Sequence, residues 1–230
     1  MSEFFTSSLF YGAAVSLLAY ELGLILKKKF RLAILNPLLI AVICVIAVNL
    51  LLGIDYKSYN ASGQYLSYLL TPATVCLAVP LYEQLSLLRD NLKAVICGIV
   101  SGILASLLGV FACAKLFGLD HELYVTLLPK SITTAIGMGV SQELGGIVTI
   151  TVAAIVITGI LGNVIADGVF KLFRINEPVA RGLALGNSAH AIGTAKAMEL
   201  GAVEGAMSSL AIAVAGLLTV VGASVFAQFM

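Results

Sequence analysis

Five runs without a charged residue, at positions 36–53, 58–82, 94–114, 144–166 and 205–230, leave this chain no fold that water could solvate. Each is long enough to cross the ~30 Å hydrocarbon core of a bilayer as a helix, which takes about 17 to 25 residues. A sixth run, 4–20, continues past Glu21 through 22–26. Only 11% of the residues are charged and the mean hydropathy is +1.06, whereas a soluble domain carries about a quarter charged residues. The ten-residue alternating strands of a membrane barrel do not occur. The first segment lacks the basic leader and small-residue cleavage site of a secretory signal, so it is expected to remain as a membrane helix. The expected fold is an all-α polytopic membrane protein of about seven to eight membrane segments, some of them broken or re-entrant, in a single transmembrane domain over residues 1–230.

Charge sets the topology. Lys27, Lys28, Lys29 and Arg31 follow the first segment, and the positive-inside rule places them in the cytoplasm, with the N-terminus outside. Walking on from that anchor, the stretch 54–64 is expected outside and Arg89 and Lys93 inside. The stretch LLPKSITTAIGMGVSQELGG, residues 127–146, then begins outside. Were it to cross, the loop KLFRINEPVAR at 171–181, with its three basic residues, would face outward against the rule. A re-entrant hairpin removes that conflict. Pro129, Gly137, Gly139, Gly145 and Gly146 supply the breaks it needs, and irregular backbone at membrane depth is tolerated only where it is packed in protein or lines a cavity.

An internal echo points the same way. When Thr74 is laid on Thr133, Leu85 falls on Leu144, Ala94 on Ala153, Ile96 on Ile155 and Gly109-Val110-Phe111 on Gly168-Val169-Phe170. This suggests repeat units around 69–117 and 128–176, each an interrupted apolar segment followed by a long helix. Paired interrupted segments are the best sequence pointer to a transporter site at the bilayer midplane. A third polar segment, ALGNSAHAIGTAKAMELG at 184–201, reads as a second dip, from the cytoplasmic side.

NPLL at 36–39, LLTPATVCLAVPLY at 69–82, LLPKSITTAIGMGVS at 127–141 and LGNSAHAIGTAKAMEL at 185–200 together resemble the LrgB family, also called CidB or YohK-like, over nearly the whole chain. The resemblance implies a multi-pass protein of the cytoplasmic (inner) membrane with a small LrgA-type membrane partner. It also implies one of two functions: transport of small monocarboxylates such as pyruvate, glycolate or glycerate, or a holin/antiholin-like control of murein hydrolase activity and cell lysis. Ala135 and Gly137 depart from the family pattern and leave the substrate open.

The residues favour a carrier. A carboxylate needs a cation and hydrogen-bond donors away from lipid, and Lys130, Ser131, Thr133 and Thr134 supply them beside a half-helix N-terminus that favours anions. Thr74, Asn187, Ser188 and His190 complete the candidate substrate-binding set. Each has a plainer reading: Lys130 as a snorkelling headgroup lysine, the threonines bonded one turn back, His190 as a neutral interhelical donor. Asn36-Pro37 reads as a helix start, and Asp167 and Glu199 as solvated residues near membrane boundaries. The four cysteines, Cys44, Cys76, Cys97 and Cys113, have no metal or redox spacing. Phosphate-binding, dinucleotide, metal and nucleic-acid motifs are missing, so no cofactor, metal or nucleic acid is expected. Ser188 and His190, two apart on a helix, point to different faces, and an enzyme is not expected. The small-residue face GIVSGILASLLG at 98–109 implies close helix approach and a homo-oligomer.

Overall fold

A computed structural model describes residues 8, 10–30, 35–76 and 78–230. Its elements are helical throughout and fall into two compact units, 1–76 and 77–230.

In the first unit α1 (Tyr11–Phe30), α2 (Pro37–Leu52) and α3 (Tyr56–Ser67) are followed by the short α4 (Leu70–Cys76). Asn36 caps α2 as expected: its side chain accepts from Leu38 and Leu39 N–H at 2.8 and 3.3 Å, with Pro37 in the first turn. The polar stretch expected as an external loop is instead helix α3, started by Asp55 and packed on α1. Ser62 Oγ accepts from Gly12 N–H at 2.6 Å, and Tyr59 Oη lies 2.8 Å from Ser16 Oγ. The run 58–82 is not one span either. It breaks after Ser67, beside the carbonyl four residues before Pro72. A proline ring would clash with that carbonyl in an unbroken helix. Thr74 lies in α4, but its side chain is outside the described residues.

The second unit begins with the short helices α5 (Ala78–Glu83) and α6 (Leu85–Asp90). It continues with the long α7 (Leu92–Phe117), the short α8 (His121–Leu127) and α9 (Thr134–Glu143), then α10 (Val148–Leu172), α11 (Pro178–Leu200) and α12 (Ala202–Phe226). Helices α7, α10 and α12 are long and apolar enough to cross a membrane, and α2 is a shorter apolar helix. The expected all-α polytopic architecture is present.

Helices α8 and α9 form the expected hairpin. At ten residues α9 is about 15 Å long, half a bilayer core. Its end returns to its beginning: Ile147 N–H donates to Thr126 Oγ1 at 2.8 Å, and Thr151 Oγ1 donates to the Thr126 carbonyl at 2.9 Å while lying 2.6 Å from Ser141 Oγ. Thr126, Ser141 and Thr151 are fully buried, and they satisfy one another at the base of the hairpin. Gly145 makes the exit turn with φ +79°, a region closed to most side chains.

Helix α11 is a second hairpin. His190 has φ 42° and ψ −134°, non-helical angles inside the element. On either side of it the chain runs in opposite directions. Before it, Gly162 faces Ala189. After it, the Asn163 amide donates to the Ile192 carbonyl at 3.2 Å and Lys196 pairs with Asp167 at 2.9 Å, so this arm runs alongside α10 in the same sense. Gly193 consequently touches the Leu185 carbonyl. Asp167, expected to be solvated, is therefore a partner that holds the returning arm.

The hairpins enter from opposite ends of this unit. One base lies where α7 and α12 finish, since Tyr124 Oη donates to the Phe226 carbonyl at 2.9 Å. The other lies where α7 and α12 begin, and there the chain carries Arg89, Lys93, Lys171, Arg174 and Arg181. The charge bias assigns this basic end to the cytoplasm. Cysteines introduced singly at Asp120 and Glu143, both exposed at the opposite end, in a background lacking the native thiols, should both react with an impermeant reagent added outside. Labelling of Glu143→Cys from the cytoplasm alone would turn the hairpin into a full span.

Candidate functional site

The tip of the first hairpin lies against the middle of α7. Ser106 lies roughly 21 Å from one end of α7 and 16 Å from the other at 1.5 Å per residue. Its Oγ donates to Ser131 Oγ at 3.1 Å, and the Lys130 ammonium donates to the same oxygen at 2.9 Å. This bond ties the lysine head to the serine that faces the middle of α7. Lys130 is thus a half-buried cation with no carboxylate partner among the described residues.

Helix α9 adds to this field. Its first turn follows the tip, Thr133 occupies the N-cap position without a side-chain capping bond, and the hydroxyls of Thr133 and Thr134 make no hydrogen bond among the described residues. The free N–H groups and positive dipole end of a ten-residue helix thus lie beside the ammonium.

From the opposite end, the second hairpin brings Asn187 against the same side of α7. Its Nδ2 donates to the Gly98 carbonyl at 3.2 Å. Gly102 makes room for it, since a Cβ there would stand 2.7 Å from Nδ2. Gly98, Gly102 and Ser106, four residues apart, form a stripe that one hairpin covers from each side. Part of the small-residue face read as an oligomer contact is therefore used within the chain, while Gly109 has open space around it.

His190 and Ser188 are not drawn into this seam by any bond. His190 is buried, and its Nε2 donates to the Ile155 carbonyl at 2.9 Å, which pins the strained tip to α10. Ser188 is exposed and donates to the Ala184 carbonyl one turn back at 2.7 Å. The two side chains therefore do not form a nucleophile and base pair. Among the described residues no group of His, Cys, Asp and Glu is arranged to hold a metal ion.

Sequence reasoning missed Ser106. A lone serine inside an apolar helix carries no local mark of what it faces, and only the i, i+4, i+8 spacing Gly98-Gly102-Ser106 hinted at a close approach.

The profile of the LrgB-like family matches residues 16–229. A Staphylococcus epidermidis protein named holin-like protein CidB is 39% identical over 196 residues, which cover 85% of this chain and 86% of that protein. The holin-like protein CidB of Staphylococcus aureus is 40% identical over 185 residues, 80% of this chain and 81% of its own. The antiholin-like protein LrgB of Bacillus cereus is 36% identical over 225 residues, 97% and 98% of the two chains. No solved structure matches. Since the matched region takes in both hairpins and every long helix, the chain belongs to the LrgB-like family, as a multi-pass protein of the cytoplasmic membrane.

Proposed function

We propose that this chain is a holin-like or antiholin-like membrane regulator, acting on murein hydrolase activity and lysis. The observation that carries this reading is the shared naming of relatives that align with 80% to 97% of the chain. Those names describe the relatives, and the regulatory role comes to this chain by similarity.

A second reading rests on a separate observation, the Lys130–Ser131–Ser106 cluster at mid-depth between two opposed hairpins. It supports a carrier for small monocarboxylates. A hole needs lateral assembly and a wide lumen, whereas this arrangement offers a cation, hydroxyls and a helix N-terminus inside half-spanning segments, the usual furniture of a secondary transporter site. The two readings are compatible, because a protein that moves a weak acid alters the conditions under which wall hydrolases act. Residues 92–143 and 148–200, each a long helix followed by a hairpin and entering from opposite ends, supply the inverted pair that alternating access employs. This pairing differs in register from the units at 69–117 and 128–176.

Liposomes separate the readings. A carrier should show saturable counterflow of labelled pyruvate, glycolate or glycerate, accelerated by substrate on the far side, while retaining a large dye. Dye release at the same protein density, with no counterflow, is the result expected of a hole. The assay should be repeated with an LrgA-type partner and as an oligomer, both of which remain part of the proposal.

A further inference from the structure

An apolar groove of about 160 Å³ runs between α7 and α12 within the second unit. Val95 and Ile99, each 2% exposed, form its floor, with Ile96 and Val100 on the α7 side and Val214 and Leu218 on the α12 side. Along α7 it begins at Leu92, the first residue of the helix, and reaches Val100, about 12 Å further at 1.5 Å per residue. One leaflet is half of the ~30 Å hydrocarbon core, so this wall of the groove stays within the leaflet at the basic end, which the charge bias assigns to the cytoplasm.

The lining decides what kind of chain fits. Every residue in it is leucine, isoleucine or valine. Helices that associate within a bilayer approach one another through glycine, alanine and serine, and a helix about 10–12 Å across does not enter a cleft of this size. A single acyl chain does. The mouth, in turn, is charged. Lys93 follows Leu92, and because side chains on a helix tilt toward its N-terminus, its ammonium is directed past the end of the groove to the headgroup level. Arg89 stands in the last turn of α6, just before it. Both are exposed and neither makes an ion pair among the described residues, while Asp90 between them offsets one of the two charges. Basic residues at the cytoplasmic boundary of a membrane helix attract anionic headgroups. We propose that the groove binds an anionic phospholipid of the cytoplasmic leaflet, one acyl chain lying over Val95 and Ile99 and the phosphate resting on Lys93 and Arg89. This site is independent of which reading of the function holds.

The chain has no tryptophan, so a single introduced one reports on the lipid beside it. Cys97→Trp places it on exposed α7 surface next to Ile96 and one turn from Val100, and Ile165→Trp places it on the exposed surface of α10 as a reference. Each full-length variant is reconstituted in phosphatidylcholine vesicles in which brominated phosphatidylcholine or brominated phosphatidylglycerol, whose bromines quench tryptophan at contact, replaces part of the lipid. At position 97 phosphatidylglycerol should be preferred at least about fivefold, the effect of one basic residue at an anionic headgroup, and at position 165 the two lipids should quench alike. Arg89→Gln together with Lys93→Gln should bring the ratio at 97 to near one, and Val100→Phe, which fills the groove without touching the charges, should lower it. If the double variant does not fold, Lys93→Gln alone should at least halve the ratio. Equal quenching by the two lipids at 97 overturns the proposal. So does weak quenching by both at 97 beside full quenching at 165, which would mean that a second copy or another protein covers the groove. A preference that survives the double substitution overturns the role given to Lys93 and Arg89.

Discussion

On the proposed carrier reading, uptake of a small monocarboxylate should be strongly reduced by Lys130→Ala while the protein remains folded in detergent. The lysine head is bonded to Ser131 Oγ and has no carboxylate partner among the described residues. Its removal deletes a charge-assisted hydrogen bond worth about 1.5–3 kcal/mol, or roughly 10- to 150-fold in affinity. Lys130→Arg keeps the charge but replaces a compact ammonium with a planar fork, so binding should weaken and selectivity change. Thr133→Val and Thr134→Val preserve shape and remove a donor, and each should cost about 0.5–1.5 kcal/mol of binding. A snorkelling lysine makes the opposite forecast. Near-normal substrate affinity in Lys130→Ala, measured by counterflow, would take the residue out of the site.

A large loss of stability is expected at Gly186. Helices α11 and α12 pack through small residues, with Gly182 against Glu204 and Gly186 against Ser208. A Cβ on Gly186 would stand 2.5 Å from the Ser208 carbonyl oxygen, 2.7 Å from Ala211 Cβ and 3.0 Å from Ser208 Cα. Two of these are backbone atoms, which no rotamer change can move aside. Overpacking typically costs 1–3 kcal/mol, and Gly186→Val, which adds two further methyl groups, should cost about 3 kcal/mol or more. Loss of this packing should lower the thermal midpoint in detergent. Gly109→Ala is the control. Nothing lies within 4 Å of its Cβ position, and alanine is about 1 kcal/mol better than glycine in a helix interior, so its midpoint should hold or rise. Equal midpoints for the two variants would show that the α11–α12 contact is looser than the geometry requires.

How far the sequence reaches is clearest at the two hairpins. The first was legible because two one-dimensional signals agreed: a proline and glycines that interrupt a helix, and a basic loop at 171–181 that the charge bias keeps from facing outward. The second was legible only as a polar segment. Its reversal occurs at His190, a residue with no local reputation as a turn former, held at φ 42° by its bond to Ile155 and by the arms packed around it. The run 58–82 misled for the converse reason. Composition allowed a span, and the break before Pro72 follows from backbone sterics that a hydropathy average does not register.

By itself the sequence determined the solvent, the helical class and the polar blocks that carry the family resemblance, because each of these depends on residues near one another along the chain. Tertiary structure alone decided which residues face one another: that Ser106 meets Ser131, that Asn187 rests on Gly98 and Gly102 with one oxygen unpaired, and that Asp167 is bound by Lys196. The physical reason is that a serine or asparagine on an apolar helix has the same local signature whether it faces lipid, a neighbouring helix or a ligand. Only contacts between segments far apart in sequence select among these.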